Sequence, residues 1–527
     1  MYSRSLATHR KVLKWVVIVF GVAFFLAAVL LVWSRHLPRV TRAWLLEVLE
    51  KRYECEVELK NFNASLFPVV SIAGEGLILK PKGRSDLPPL AFVRKFSVIG
   101  DWRGLVRQPR HFRLVRLEGL AMVVPPRRKQ AQAESEPLFP PPARKTQAAI
   151  PFVLDEILAQ DATLSILSAN PGKPPHTFEI HRLRMRSVGL GQPMSFQITL
   201  TIPRPVGQVQ SSGRFGPWNT DDPSLTAISG NYTFSHADLS TIRGLGGILS
   251  SHGSYEGVLS EIHVQGVTDT PDFDLGISGN QVHLKTQFKA VVDGVNGDTL
   301  LQPVTAQFLG SKVVARGGVT EAPEGNGRII LLDTSVQPGR LEDFLRLAVK
   351  SATPSMTGAL SLRTKLDLHP GEEQIVERLK LDGSFTVQAA RFTNPETEAK
   401  ITSLSRRGQG KPQDKDIQNA QSDMQGHFVL ANSQLTFSSL SFTVPGASVQ
   451  LQGTFGLLTQ ALDFQGTLRL QAKVSQMTSG IKSLLLKAID PLFEGGGAGT
   501  VLPIKIRGTR EEPSFQVEIG KALKREE

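Results

Sequence analysis

A single cysteine, Cys55, stands in 527 residues. One thiol excludes an intramolecular disulfide framework and any cysteine-based zinc site. It suits a reducing cytosol, and equally a periplasmic protein that avoids oxidative mispairing. Catalytic signatures are missing as well. The chain has no G-x-S-x-G elbow, no H-E-x-x-H, no C-x-x-C and no G-x-x-x-x-G-K-[ST] phosphate loop. Its eleven histidines are scattered; His176 and His181, the nearest pair away from the ends, read as surface residues rather than ligands. The glycine-rich stretches Gly244–Gly247 and Gly495–Gly499 do not join a hydrophobic strand to a helix opening, as phosphate loops do, and read as turns. Asp293–Asp298 (DGVNGD) lacks the spacing and terminal glutamate of an EF-hand and also reads as a turn. Asn231-Tyr-Thr233 matches a glycosylation acceptor, which matters only in a eukaryotic secretory setting. No catalytic residue, metal or cofactor is expected, and a non-enzymatic role follows.

Balanced charge is lacking at one end. Residues 1–130 hold 23 Lys/Arg against 9 Asp/Glu, while residues 131–527 are close to neutral. Basicity therefore belongs to the segment following the first hydrophobic run, with Arg35, Arg39, Arg42, Arg103 and Arg107 as candidates for anionic-headgroup contact. A solvated strand face is the alternative. Nucleic acid is not an expected partner, because no aromatic-interleaved or helical recognition motif accompanies the basic residues.

The long hydrophobic run is Trp15–Trp33, nineteen residues without charge or proline. As a helix it matches the roughly 30 Å hydrocarbon core of a bilayer, with tryptophan at each interface. The run ends in Trp33-Ser-Arg-His36 with no small-residue cleavage site, so it reads as an uncleaved anchor rather than a signal peptide. Arg4, Arg10, Lys11 and Lys14 lean only weakly towards a cytoplasmic N-terminus, since Arg35, Arg39 and Arg42 follow the span.

Beyond the anchor, Thr41–Tyr53 reads as a short amphipathic helix, placed either on the membrane or over the first sheet. From Glu56 the period changes to two. Alternation recurs at Phe196/Ile198/Leu200, Leu360/Leu362/Leu366/Leu368, Leu440/Phe442/Val444, Val449/Leu451 and Leu462/Phe464/Leu468/Leu470. Each such segment gives one apolar and one wet face, the pattern of an antiparallel sheet buried on one side. Helices are expected at Leu341–Lys350, at Ile481–Phe493 and near Glu396–Leu404. The expected organisation is a cytoplasmic tail (1–14), a transmembrane helix (15–34), a membrane-proximal basic α+β segment (35–124) and a flexible proline-rich linker (125–150). A β-groove body (151–392), a polar insertion (393–426), a C-terminal β segment with an amphipathic helix (427–520) and a charged tail (521–527) complete it. Twenty or more amphipathic strands with so few helices leave an apolar face that must pack on another sheet, fold over on itself, or hold an apolar ligand.

Asn61–Leu77 (NFNASLFPVVSIAGEGL), Phe215-Gly-Pro-Trp218 with Asp222-Pro223, Leu440–Phe455 (LSFTVPGASVQLQGTF) and Gly497–Thr509 (GAGTVLPIKIRGT) followed by Pro513-Ser-Phe515 carry a resemblance. From about residue 10 to 520 the chain resembles AsmA-like proteins of bacterial envelopes. These motifs are turn and strand signals and include no catalytic signature. The resemblance implies a single-pass inner-membrane protein with its bulk in the periplasm. Its implied fold is mainly β, a transmembrane helix followed by a long curled antiparallel sheet (a β-taco) with a few short helices. The implied groove carries phospholipid acyl chains, in relation to bridge-like lipid-transfer proteins. Membrane and phospholipid are thus expected partners, together with outer-membrane or other envelope proteins. Roughly 25 strands at about 4.8 Å give on the order of 120 Å of groove, short for a complete bridge between two membranes. Candidate groove-lining residues are Phe428, Leu430, Leu435, Phe437, Leu440, Phe442, Val449, Leu451 and Phe455, each equally able to serve as ordinary core. The competing role is an assembly factor that binds outer-membrane protein segments through the same β surface without moving lipid.

Overall fold

A computed structural model describes residues 55–65, 69–81, 88–101, 110–124, 152–167, 175–189, 192–219, 222–323, 327–351, 353–414, 421–472, 499–510 and 512–517, with single positions at 42, 43, 46, 47, 50, 103 and 104. The predicted span at 15–34, the linker 125–150, the helix at 481–493 and the tail 521–527 lie outside the described residues. Among the described residues no helix is long and apolar enough to cross a membrane. What is described is mainly β, as the alternation predicts, with 24 strands and few helices. The chain divides into two compact units, residues 1–203 with 209–227, and residues 204–208 with 228–527.

The first unit holds β1 (Cys55–Ser65), β2 (Val70–Pro81), β3 (Ala91–Gly100) and β4 (Arg110–Val124). It continues with β5 (Phe152–Ile166), β6 (His176–Gly189) and β7 (Met194–Pro203); β8 (Val206–Phe215) spans the division. Register keeps apolar side chains in one phase: Leu59 faces Leu77, which faces Val93, which faces Leu120. One junction departs from the antiparallel expectation, since β4 and β5 run parallel. A parallel return needs a connection of a dozen residues or more, and the segment 125–151 supplies that length. Leu59, Val93 and Phe96 are the buried cluster, and Leu46 packs against it. Positions 42, 43, 46, 47 and 50 are helical. Of the two roles open to the Thr41–Tyr53 helix, Leu46 thus serves the one that covers the sheet.

The second unit holds β9 (Ala227–Asp238), β10 (Leu245–Gly246), β11 (Ile248–Val258), β12 (Glu261–Leu275), β13 (Val282–Val292) and β14 (Thr299–Phe308). After them come β15 (Ser311–Glu321), β16 (Arg328–Arg340), β17 (Met356–Leu368), β18 (Leu379–Phe392) and β19 (Ser422–Ala431). The last strands are β20 (Gln434–Val444), β21 (Ala447–Gly456), β22 (Ala461–Leu470), β23 (Thr500–Thr509) and β24 (Pro513–Val517). From β11 to β24 each strand pairs antiparallel with the next. Register shifts recur at Thr270/Phe273, Gln287/Ala290, Leu301/Val304, Val336/Gly339, Val387/Ala390 and Phe437/Leu440. Each inserts residues without losing the apolar phase, and bulges of this kind bend a strand and raise its twist.

Three short helices interrupt the ladder: α1 (Leu341–Ala348), α2 (Ile375–Arg378) and α3 (Pro395–Gly408). The helices predicted at Leu341–Lys350 and Glu396–Leu404 are α1 and α3. The polar insertion predicted over 393–426 ends earlier, because β19 begins at Ser422 and its Ser422 and Met424 are already in register with β18. Breaker-rich composition masked that strand start. Helix α1 lays Leu341, Phe344 and Leu347 on Val282, Phe308, Leu360 and Val387. The Asp343 carboxylate, 4% exposed, accepts from Gly310 N at 3.0 Å and Ser311 Oγ at 2.7 Å, pinning the helix start. Asn280 Nδ2 donates to the carbonyls of Arg346, Val349 and Ser351 at 2.9, 3.1 and 3.1 Å, which pins its end. Helix α3, capped by the Asn394 side chain, lays Ile401 and Leu404 on Val444, Ala447 and Leu470.

Candidate binding face

In β17, Leu360, Leu362, Leu366 and Leu368 share one face, and Ser361, Arg363, Lys365 and Asp367 the other. Pairing carries that phase outward in both directions. Leu362 faces Phe385 on one side and Val336 on the other; Leu381 faces Leu430, which faces Leu435, which faces Phe455, which faces Leu462. All nine predicted groove residues fall on this face. Phe428 faces Phe437, Leu440 faces Leu451, and Phe442 faces Val449. Phe428 and Leu430 are buried, at 8% and 3% exposure, whereas the other seven are half-buried. From β14 to β23 register puts one charged pair in this phase, Glu321 facing Arg328 at the ends of β15 and β16. Asp382, His427, Gln450 and Asp463 belong to the opposite one.

Glycines shape the floor, a feature that alternation alone does not reveal. A Cβ at Gly266 would lie 2.5 Å from the Tyr232 hydroxyl oxygen and 3.0 Å from Phe288 Cζ, so two rings lie down over that glycine. Gly453 similarly faces Phe464 on β22 and Phe437 on β20, whose ring centroids are 5.8 Å apart across the strand between them. Rings that lie over glycine cover backbone without standing into the space above it. The signal in the sequence is a glycine in phase with the apolar positions of a strand, as in Phe464/Gly466/Leu468.

One set of contacts joins positions far apart on the ladder of the second unit. Arg243, between β9 and β11, donates from Nη1 to the Glu372 carbonyl at 2.7 Å and accepts from Ile375 N at 3.3 Å. Glu372 and Ile375 lie between β17 and β18, at the opposite strand ends. In a flat sheet two such connections, six strands and one strand length apart, would stand on the order of 45 Å from each other.

Depressions on the strands are lined mostly by polar residues. One of about 690 Å³ is lined by Ser384, Thr386, Gln425, His427, Gln450 and Gln465. Another, of about 530 Å³, is lined by Asn231, His252, Gln265 and Lys289. A third, of about 370 Å³, lies in the first unit among Asn61, Glu75, Lys95 and Arg116. Asn61 hydrogen-bonds Glu75 and, with Lys95, holds its carboxyl below the usual glutamate range. Residues of the apolar phase contribute as well, Phe385, Leu440 and Leu451 to the first depression and Tyr232, Gly266 and Phe288 to the second.

Of the predicted headgroup contacts, Arg42 donates from Nη2 to the Leu59 carbonyl at 2.8 Å, and Arg103 is exposed. Arg35, Arg39 and Arg107 lie outside the described residues. The Asp293–Asp298 stretch is the turn between β13 and β14. Asp293 Oδ1 accepts from Val295 N at 2.8 Å, and Asp298 pairs with Arg328 at 2.7 Å. Among the described residues no cluster of His, Cys, Asp and Glu is arranged to hold a metal ion. Cys55 is buried. No protein-family model, no curated protein and no solved structure matches the chain.

Proposed function

We propose that this protein is a membrane-anchored envelope protein of the AsmA-like kind that binds phospholipid by its acyl chains and passes it along an apolar β-groove. The observation that carries the reading is the half-buried apolar face of the second unit, which over ten successive strands carries a single charged pair, Glu321 with Arg328, at the strand ends. An acyl chain asks only for continuous apolar surface, worth roughly 25 cal/mol per Å² removed from water. Support for a curl of that sheet comes from the Arg243 contacts and from the recurrent bulges, since a bulge bends its strand and raises the local twist. Trp15–Trp33 supplies the tether, and the inner-membrane placement with a periplasmic body rests on the resemblance.

Mass spectrometry of lipid co-purifying with the full chain tests the reading. Photoreactive residues at 440 and 451 should label phospholipid, and those at 441 and 450, on the opposite face, should not. Equal labelling from both pairs, or a folded protein free of lipid, overturns it. A folded, lipid-free protein that captures outer-membrane protein segments would instead identify an assembly factor.

A further inference from the structure

Hydroxyl groups gather at one place on the apolar face, in the row that crosses β11, β12 and β13. Ser251 faces Thr268, and Thr268 faces Thr286. The Tyr232 hydroxyl lies 3.1 Å from Ser251 Oγ, and Ser251 Oγ donates to the Val267 carbonyl at 3.0 Å, so the phenol is the donor of that pair. Burial pushes the Tyr232 phenol up from its ordinary value, against the Ser251 hydrogen bond, which keeps the group neutral. Thr268 and Thr286 are half-buried, and their hydroxyls make no hydrogen bond to another described residue. Two residues along β12, Thr270 is fully buried and its Oγ1 has no partner.

Strand propensity alone does not require these hydroxyls. Val264 on β12 and Val282 on β13 occupy the same face with a β-branched chain and nothing polar. Elsewhere on this face most hydroxyls have protein acceptors: Thr299 donates to Gly297 O, Thr364 to Asp382 O, Ser422 to Ala390 O, Thr500 to Ala472 O and Ser311 to the Asp343 carboxylate. A lone Thr334 faces Thr364. The charged groups of β12 and β13, among them Asp269, His283, Lys285 and Lys289, are in the other phase. What this row offers is therefore two free neutral donors in apolar surroundings. They suit a neutral acceptor attached to long apolar chains, and no cation is present to take a phosphate.

We infer that Thr268 and Thr286 seat the ester linkages of a diacyl lipid, donating to ester carbonyls while the acyl chains lie along the adjoining apolar strands. The inference rests on the lipid reading above and adds to it a fixed station for the polar–apolar boundary of the cargo. It also predicts a preference that an all-apolar face would lack. An ether-linked lipid has no carbonyl to receive these donors and offers only its ether oxygens, one bond closer to the glycerol, so it satisfies the two hydroxyls less well.

The test equilibrates the full chain with an equimolar mixture of ester-linked and ether-linked phosphatidylcholine of equal chain length, and reads the bound ratio by mass spectrometry. Wild type should favour the ester lipid about threefold or more. The isosteric double variant Thr268→Val/Thr286→Val should bind the same total lipid at a ratio near one. An equal ratio in wild type with lipid still bound overturns the station and leaves the groove standing, as does a preference unchanged in the double variant. No lipid of either kind on the folded protein overturns both.

Discussion

Leu440 is the position at which the lipid face can be challenged most sharply. It is half-buried in mid-face, it faces Leu451, and its neighbour Ser441 points the other way. An acyl chain crossing strands about 4.8 Å apart lays roughly four methylenes over each. At ~0.8 kcal/mol per fully buried methylene, and half that for a chain covered on one side, each strand contributes ~1.6 kcal/mol. Leu440→Asp removes that contribution on β20 and sets a carboxylate under the chain, where desolvation adds at least as much again. The sum is ~3 kcal/mol, about a hundredfold in affinity, with tenfold as the floor if the chain slides past. The stability cost is expected to stay at about 1–2 kcal/mol, because the leucine is only partly buried. The assay is an equilibrium titration of a fluorescent-acyl phospholipid into the full chain held in nanodiscs, with circular dichroism as the check on folding. Ser441→Asp places the same charge on the opposite face and should change binding less than twofold. Equal losses from the two variants, or less than a twofold loss from Leu440→Asp in a folded protein, would refute the assignment.

Other consequences concern stability and pH. Asp343→Ala leaves Gly310 N and Ser311 Oγ without their acceptor; faster hydrogen exchange across 341–348 should report a local loss of ~1–3 kcal/mol. Gly266→Ala drives a methyl group into Tyr232 and Phe288 and should lower thermal stability by ~1–3 kcal/mol, whereas at Gly318 nothing lies within 3.5 Å of the new atom and the same change should stay within ~0.5 kcal/mol. Glu156 accepts a hydrogen bond from Arg184 that, against burial, holds its carboxyl below the usual range. The folded pKa is depressed, so this contribution is present above the unfolded value of about 4.3 and is lost as pH falls through the folded one. Glu156→Gln should therefore flatten the acid limb of a stability–pH profile below about pH 4.3, and an unchanged limb would count against the pairing.

The strand phase was legible because a period of two survives every tertiary detail. Leu360/Leu362/Leu366/Leu368 had to share a face whatever lay opposite. The nine predicted groove residues stay in that phase through the bulge after Phe437, which alternation alone could not locate, because a bulge leaves no periodic trace. Three features were not legible for physical reasons. The parallel β4–β5 pair depends on where a proline-rich segment returns the chain, and composition is silent on direction. The Arg243–Glu372 contact joins residues 129 apart in sequence, beyond any local pattern. The hydroxyl row was hidden because Ser251, Thr268 and Thr286 lie in three different strands, and only register brings them side by side.

Burial runs the wrong way for a β-sandwich. Two sheets packed about 10 Å apart interdigitate in mid-face, so central side chains should be the most buried and strand ends the most open. In the second unit Leu360, Val387, Val444, Ala447 and Leu470 are buried near the strand ends, under or beside α1 and α3, while Phe437, Leu440, Val449 and Leu451 are half-buried in the middle. Buried exceptions include Thr364, whose hydroxyl bonds the Asp382 carbonyl, and Phe428 and Phe464, which owe their cover in part to rings on their own sheet. Phe428 meets Phe385 at 6.2 Å and Phe464 meets Phe437 at 5.8 Å. The helices thus close one row of strand ends and leave the centre of the face to whatever apolar matter lies along it. A chain of methylenes meets that requirement without specific geometry, which is why the face can be built from Leu, Phe and Gly without a motif.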